Sequence, residues 1–367
     1  MIFGYAQPYN SVNGLAAASP TEAWAVGSAA TGQNLAEHWN GRAWTRVAVP
    51  SPGKSPVSVL NAVAAVSSAG TWAVGYSSYY GNHTRVKALI ERWNGWAWKQ
   101  VASPTPGGSQ SSGLAAVAAT GPSSAWAVGS SRCGTTFKTL IEHWNGRAWK
   151  QVASPSPGGS DNSFLFGVAA DRSSSSAWAV GYYRSGTTDR TLIERWNGRA
   201  WTQVASPNPG GSYGSSLNAV AIAGSGAWAV GDFAGERALI ERWNGRTWRQ
   251  VAISKPGGSR GIILKAVTAA GPSDAWAVGY YFTDTRVEPA VKTLIEHWDG
   301  KAWKQVASPS PGGSVGSSGE QSLLDAVSAA PAPSSDAWAA GYYTPGSASV
   351  TPLIERWTRM GWRQVVP

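Results

Sequence analysis

Three sets of side chains in this 367-residue sequence could do chemistry, and all three follow a repeat. The first is a glutamate at Glu37, Glu91, Glu142, Glu194, Glu241, Glu296 and Glu355, each followed by Arg or His. That is too regular for one active site. A carboxylate set between apolar strand positions needs a partner. The glutamates therefore read mainly as structural ion pairs or hydrogen bonds to indole or backbone, with a repeated ligand pocket as the other reading. The second set is basic: Lys87, Lys138, Arg190, Arg237 and Lys292 stand four positions before the glutamate in five consecutive repeats. One cation per repeat suits a polyanion such as an acidic polysaccharide, held through many weak contacts. The plainer alternative is a ring of surface cations paired with nearby carboxylates. The third set follows a repeated glycine: Tyr76, Tyr79 and Tyr80; Tyr182 and Tyr183 with Arg184; Asp232 and Phe233; Tyr280, Tyr281 and Phe282; Tyr342 and Tyr343. Half-exposed tyrosines present a flat apolar face and a hydroxyl to sugars or extended peptides, or else pack between loops. The ligand-binding candidates are thus Tyr80, Lys87, Lys138, Tyr183, Arg184, Arg190, Arg237, Tyr281, Lys292 and Tyr343.

The elements that must position these residues are set by tryptophan. Three indoles recur in fixed order seven times, as in Trp72, Trp93 and Trp98, and account for 21 of the 22 tryptophans. Around them residues 60 to 103 read as four β-rich runs, LNAVAAV, TWAVGYS, ALIERWNG and WAWKQVAS. Small residues in the first run suit a crowded innermost strand. In the third run, alternation puts Leu89, Glu91 and Trp93 on one face and Ile90 and Arg92 on the other. Asn94-Gly95 predicts a two-residue type I′ hairpin, with a different turn at Thr358-Arg359 in the last repeat. The Ser-Pro-x-Pro-Gly-Gly-Ser stretches predict extended crossovers from outer strand to next inner strand. Four antiparallel strands per unit and seven units predict an all-β, seven-bladed β-propeller in one domain, with blades near 12–51, 58–105, 112–157, 163–208, 215–254, 262–310 and 321–367. Gly4 to Pro8 reads like a stray outer strand that latches the first blade to the last.

Composition narrows the function classes. The net charge of +10, with 14% charged and 43% apolar residues, describes a folded protein with a modest positive field that favours acidic partners. The single cysteine, Cys133, excludes an intrachain disulfide. No apolar run approaches the ~20 residues of a membrane span, and MIFGYAQPYN carries no basic leader, apolar core or cleavage site. His38, His143 and His297 share one repeat position and only His83 stands apart, so no metal or other cofactor is expected. A catalytic serine elbow, a phosphate-binding glycine loop and a Cys/His couple are all missing. No recognition helix or dense Lys/Arg run points to nucleic acid. The non-repeated acids Asp161, Asp232, Asp284, Glu288, Glu320 and Asp325 are the ones from which a channel-mouth active site would be assembled; nothing in the sequence brings two of them together.

The hairpin Leu140-Ile141-Glu142-His143-Trp144-Asn145-Gly146 through Trp149 resembles the Trp-Asp/Asn-Gly-x-x-Trp signature of bacterial and fungal propeller lectins that bind fucose and related sugars. The resemblance implies sugar pockets built from a Glu on this strand, matched at Glu91, Glu142, Glu194, Glu241, Glu296 and Glu355, and from aromatics of the next blade. The family's Arg on the preceding strand has no counterpart in Ala-Trp-Ala-Val-Gly. The repeat also resembles those of secreted propellers from soil bacteria. The reading is a non-enzymatic, lectin-like protein, secreted or at a cell surface, that binds glycan or acidic polysaccharide on the rim carrying the tyrosines. A protein-interaction scaffold is the alternative, and a hydrolase or lyase at the channel mouth the third.

Overall fold

Short runs of alternating and β-branched residues, cut by Gly, Asn and Pro, cannot sustain helices and pair locally instead. In the computed structural model each repeat forms four consecutive antiparallel strands, here called A to D, as in Val57–Ala65, Thr71–Ser78, Val86–Trp93 and Trp98–Val101. The structure describes residues 10–365 except 53–56, 68–69, 79–85, 105–110, 172–175, 284–289, 313–320, 331–335 and 346–348. Among these residues, no helix is long and apolar enough to cross a membrane.

The architecture is an all-β propeller with four antiparallel strands per blade. The sequence leads one to expect seven separate sheets, whereas among the described residues the hydrogen bonds define five four-stranded sheets and one eight-stranded sheet. The eight-stranded sheet arises where the C strand Val291–Trp298 meets the following A strand Gln321–Ala329 through a single parallel pair, Val291 with Gln321. Each A strand touches the A strand of the next repeat, and that of repeat 7 touches that of repeat 1, so the chain closes on itself. The proposed latch at Gly4 to Pro8 lies outside the described residues.

The innermost strands are crowded, as their small residues suggest. A Cβ on Gly167 would lie 2.8 Å from the Cα of Ala219 in the neighbouring A strand. The glycine ending each Ala-Trp-Ala-Val-Gly run meets a similar limit: a Cβ on Gly181 would sit 2.0 Å from the carbonyl oxygen of Phe164. A and B strands can pair there only because no side chain intervenes.

The core lies between repeats. The B-strand indole of one repeat meets the C- and D-strand indoles of the next, as Trp72 does Trp144 at 4.9 Å and Trp149 at 5.1 Å between ring centroids. The same triad joins repeat 7 to repeat 1 through Trp338, Trp39 and Trp44. The residue after each repeated glutamate completes the stack. Arg92 lies over Trp72 and Trp144, Arg195 over Trp178 and Trp243, and His143 against Trp126 at 4.2 Å. Edge-on indoles with a cation above them combine apolar burial with quadrupole attraction.

The turn between C and D strands differs from the expectation. Trp39 pairs with Trp44, leaving a four-residue loop Asn40–Ala43, and only Gly41 takes a positive φ, 91°. Asn40 Oδ1 accepts from the amides of Arg42 and Ala43, both at 3.0 Å. The asparagine is there for its side-chain acceptor, an Asx turn, and Asp299 does the same in repeat 6. In the last repeat Thr358 pairs with Gly361, tightening the turn to Arg359 and Met360. The Ser-Pro crossovers are pinned by the threonine opening the apolar part of strand C: Thr191 Oγ1 donates to the Pro207 carbonyl at 2.9 Å, and Thr293 Oγ1 to that of Pro309 at 2.8 Å.

Candidate functional site

Side-chain alternation decides which candidates can meet. On the rim where strand B passes to strand C, the second residue after the repeated glycine lies directly across from the basic residue opening strand C. The pairs are Tyr183 with Arg190, Phe233 with Arg237 and Tyr281 with Lys292. Directly opposed residues on one face have Cβ atoms about 5 Å apart, so repeats 4 to 6 each present an aromatic ring beside a cation. Lys87 and Lys138 instead face Ser77 and Ser131, and Tyr343 faces Thr351.

The candidates differ in what already occupies them. The Lys138 ammonium donates to the Gly159 carbonyl of its crossover. Arg184 forms a bidentate pair with Asp189, at 2.8 and 3.1 Å, so its charge is neutralised. Tyr183, Tyr281 and Tyr343 pack against inter-repeat cores and are half-buried. Arg190 and Arg237 are exposed, Lys292 half-buried. Tyr80 lies outside the described residues.

The repeated glutamates depart from the sequence expectation. Glu91, Glu142, Glu194, Glu241, Glu296 and Glu355 are fully buried. Except for the Ser103 hydroxyl, which donates to Glu142 at 2.8 Å, no described group hydrogen-bonds to any of these six carboxyls. They do not pair with the following Arg or His because strand alternation sends successive side chains to opposite faces. Burial instead pushes the carboxyls up, to about 7 for Glu142, about 8 for Glu91, Glu241 and Glu296, and about 9 for Glu194. At neutral pH they are thus largely neutral acids in the seams, Glu142 alone standing close to half ionised, and are worth little as anchors for a charged ligand.

A further cluster lies at the axis. Every A strand carries a bulge one residue after its inward Leu or Val, at Asn13, Asn61, Ala115, Phe166, Asn218, Lys265 and Asp325. A bulge re-aims its side chain, and here it aims at the next repeat: Asn13, Asn61 and Asn218 donate to the Leu60, Leu114 and Leu264 carbonyls at 3.1, 2.7 and 2.8 Å. In repeats 6 and 7 Lys265 and Asp325 replace the amide.

The first residue after the strand-B glycine shares this part of the structure, and repeats 5 to 7 supply Asp232, Tyr280 and Tyr342. Ser216 Oγ donates to Asp232 Oδ1 at 3.3 Å. Burial raises Asp232, against hydrogen bonds from Ser216 and Asn218 and the charge of Lys265. It raises Asp325 too, again against Lys265. Tyr280 is pushed up to about 12, first by burial and then by Asp325, Tyr342, Asp232 and Glu236. The charge of Lys265 thus acts on two carboxyls from different repeats. On repeat 4, Phe166 and Tyr182 pack with ring centroids 5.7 Å apart. Among the described residues, no group of three His, Cys, Asp or Glu could hold a metal ion.

Sequence reasoning named Asp232 and Asp325 but had no means of joining them. The signal was the bulge column itself, which varies between Asn, Ala, Phe, Lys and Asp within an otherwise constant run.

No family model and no curated protein matches the chain. Solved structures do resemble it. YCF48 from Cyanidioschyzon merolae is 15% identical with a TM-score of 0.53, over 94% of this chain and 96% of that one. Aleuria aurantia lectin in complex with Fucalpha1-6GlcNAc is 11% identical with a TM-score of 0.48, over 98% and 97%. A fungal lectin structure from the same organism, described as a six-bladed propeller, is 15% identical with a TM-score of 0.47, over 82% and 96%. The likeness to YCF48 is one of architecture alone, and the lectin likenesses are looser still.

Proposed function

We propose that the protein is a seven-bladed, non-enzymatic propeller that binds acidic polysaccharide on the rim bearing the B-to-C turns, acting outside the cell. The blade number is supported by the 28 strands, in seven sets of four, among the described residues and by the single residue pair that joins two sets into the eight-stranded sheet. The binding reading rests on the aromatic-cation pairs Tyr183–Arg190, Phe233–Arg237 and Tyr281–Lys292 in consecutive repeats. An aromatic face takes the apolar side of a sugar ring while the neighbouring cation takes its carboxylate or sulfate, and three such sites on one rigid ring add their weak affinities.

The test is salt elution from immobilised heparin. The triple variant Arg190→Ala, Arg237→Ala, Lys292→Ala should elute at clearly lower salt than the parent. A control that removes the same charge from exposed D-strand positions, Lys99→Ala, Lys150→Ala, Arg249→Ala, should shift much less. Equal shifts for the two triples would mean that net charge alone drives retention and would overturn the rim site.

A further inference from the structure

The rim opposite the B-to-C turns carries the C-to-D turns, and six of these are built alike. In repeats 1 to 6 the Oδ1 of the turn's Asn or Asp accepts from the amides of the third and fourth turn residues at 2.9 to 3.1 Å, which fixes the third side chain at one place on every tip. The A-to-B turn lies beside it: Trp39 and Trp144 Nε1 donate to the Pro20 and Pro122 carbonyls at 3.4 and 3.2 Å. The tips also stand on the seams. Trp93 and Trp98, which flank the turn of repeat 2, touch Trp24 of repeat 1 at 4.9 and 5.0 Å between centroids, and Trp39 and Trp44, which flank that of repeat 1, touch Trp338 of repeat 7. Tips fixed alike on a closed ring lie in one plane.

The third turn residue is a cation in five repeats, Arg42, Arg147, Arg199, Arg246 and Lys301, and the shortened turn of repeat 7 adds Arg359; all six are exposed. Among the described residues none of the six is in an ion pair. The described carboxylates of this rim are Glu22, Asp171, Asp274, Asp299 and Asp336, and four of them are met by other groups: Glu22 by His38 at 3.9 Å, Asp274 by His297 at 2.9 Å, Asp299 by Lys304 at 2.6 Å and Asp336 by Arg356 at 3.3 Å. In repeat 2 the third place holds Trp96, the one tryptophan outside the repeated triads. It is 90% exposed, and Met360 on the turn of repeat 7 is 76% exposed. Two of the three large apolar side chains that the described residues leave exposed thus stand on this rim, one on each side of repeat 1 and its Arg42. The fold does not call for an indole there, since Asn94 holds the turn.

We infer that this rim docks flat on an anionic lipid bilayer, with Trp96 and Met360 entering the interface and the cations meeting the headgroups. A plane of charge matches a flat partner, whereas a glycan chain or an extended peptide calls for a groove. Tryptophan settles at the boundary between headgroups and acyl chains, and each Lys or Arg near an anionic surface contributes about fivefold in affinity. Peripheral attachment takes two weak signals together, and one rigid ring supplies both. The inference does not depend on the reading of the opposite rim.

Co-sedimentation with vesicles tests it, using phosphatidylcholine alone and phosphatidylcholine mixed with phosphatidylglycerol. The protein should bind the mixed vesicles and bind the neutral ones at least about tenfold more weakly, and added salt should weaken the binding. Trp96→Ala should weaken it on the order of tenfold with an unchanged melting temperature. The pair Arg147→Ala, Arg199→Ala should lose about tenfold or more. The triple variant Arg190→Ala, Arg237→Ala, Lys292→Ala should bind vesicles much as the parent does, and heparin elution of Trp96→Ala should match the parent, which separates the two rims. No binding to the mixed vesicles, equal binding to both kinds, no loss in Trp96→Ala, or a loss in the triple variant as large as in the arginine pair would each overturn the proposal.

Discussion

Glu194 is fully buried, and no described group is bonded to either of its oxygens. Its carboxyl is pushed up to about 9 in the fold, against about 4.3 in an unfolded chain. The folded protein therefore holds a proton that the unfolded chain releases once pH passes the ordinary carboxylate range. Stability from this group is complete below about pH 4.3 and is lost as pH rises toward the folded value. Four of its equivalents stand at about 7 to 8. The melting temperature should fall steadily between pH 5 and 9. Glu194→Gln, which keeps the shape without the proton, should flatten that slope and melt higher than the parent at pH 9. Melting curves that superimpose at pH 5 and 9 would refute the neutral-acid assignment. Asn197 makes a more local prediction. Its Oδ1 accepts from the amides of Arg199 and Ala200, both at 2.9 Å, so Asn197→Ala should cost about 1 kcal/mol in denaturant unfolding. The sequence marked both positions as important but assigned each the wrong reason. Whether a glutamate finds a partner, and whether an asparagine is wanted for its φ or for its oxygen, depends on faces and distances that no run of letters states.

At the scale of the strand, pairing depends on what is left out as much as on what is present. Gly181 sits where any Cβ would strike the Phe164 carbonyl at 2.0 Å, and both atoms belong to backbones fixed by their ladders. Gly181→Ala should destabilise the fold by about 3 kcal/mol or more, well beyond the ordinary Gly-to-Ala change, and chemical denaturation would measure it. A loss under about 1 kcal/mol would mean that the A–B ladder yields at this point. Strands and their order were legible because alternation, turn residues and indoles all repeat in phase. The bulge in each A strand showed only as one variable column in a run such as Leu-Asn-Ala-Val-Ala-Ala; that it re-aims Asn61 onto the Leu114 carbonyl of the next repeat was not legible.

Across the whole molecule, closure uses the joint found everywhere else. Trp338 meets Trp39 and Trp44 at 5.1 and 5.3 Å, as Trp178 meets Trp243 and Trp248 at 5.0 and 5.1 Å. Trp338→Ala and Trp178→Ala should therefore destabilise by similar amounts, about 3 to 5 kcal/mol each. A much smaller loss at Trp338, read from unfolding midpoints, would show that the ring opens at that joint before it melts. The periodic indoles announced a closed ring; the merger of two sheets through Val291 and Gln321 had no herald, since it turns on one backbone contact. The closing joint also has a mechanical consequence. Its two sides carry the inner strand Ser11–Ser19 and the outer strand Gly361–Gln364, the latter bonded to a neighbour along one edge only. A load applied between residues 11 and 364 would peel that outer strand bond by bond, drawing Trp362 out of its seat against Trp276, before the closing joint itself yields.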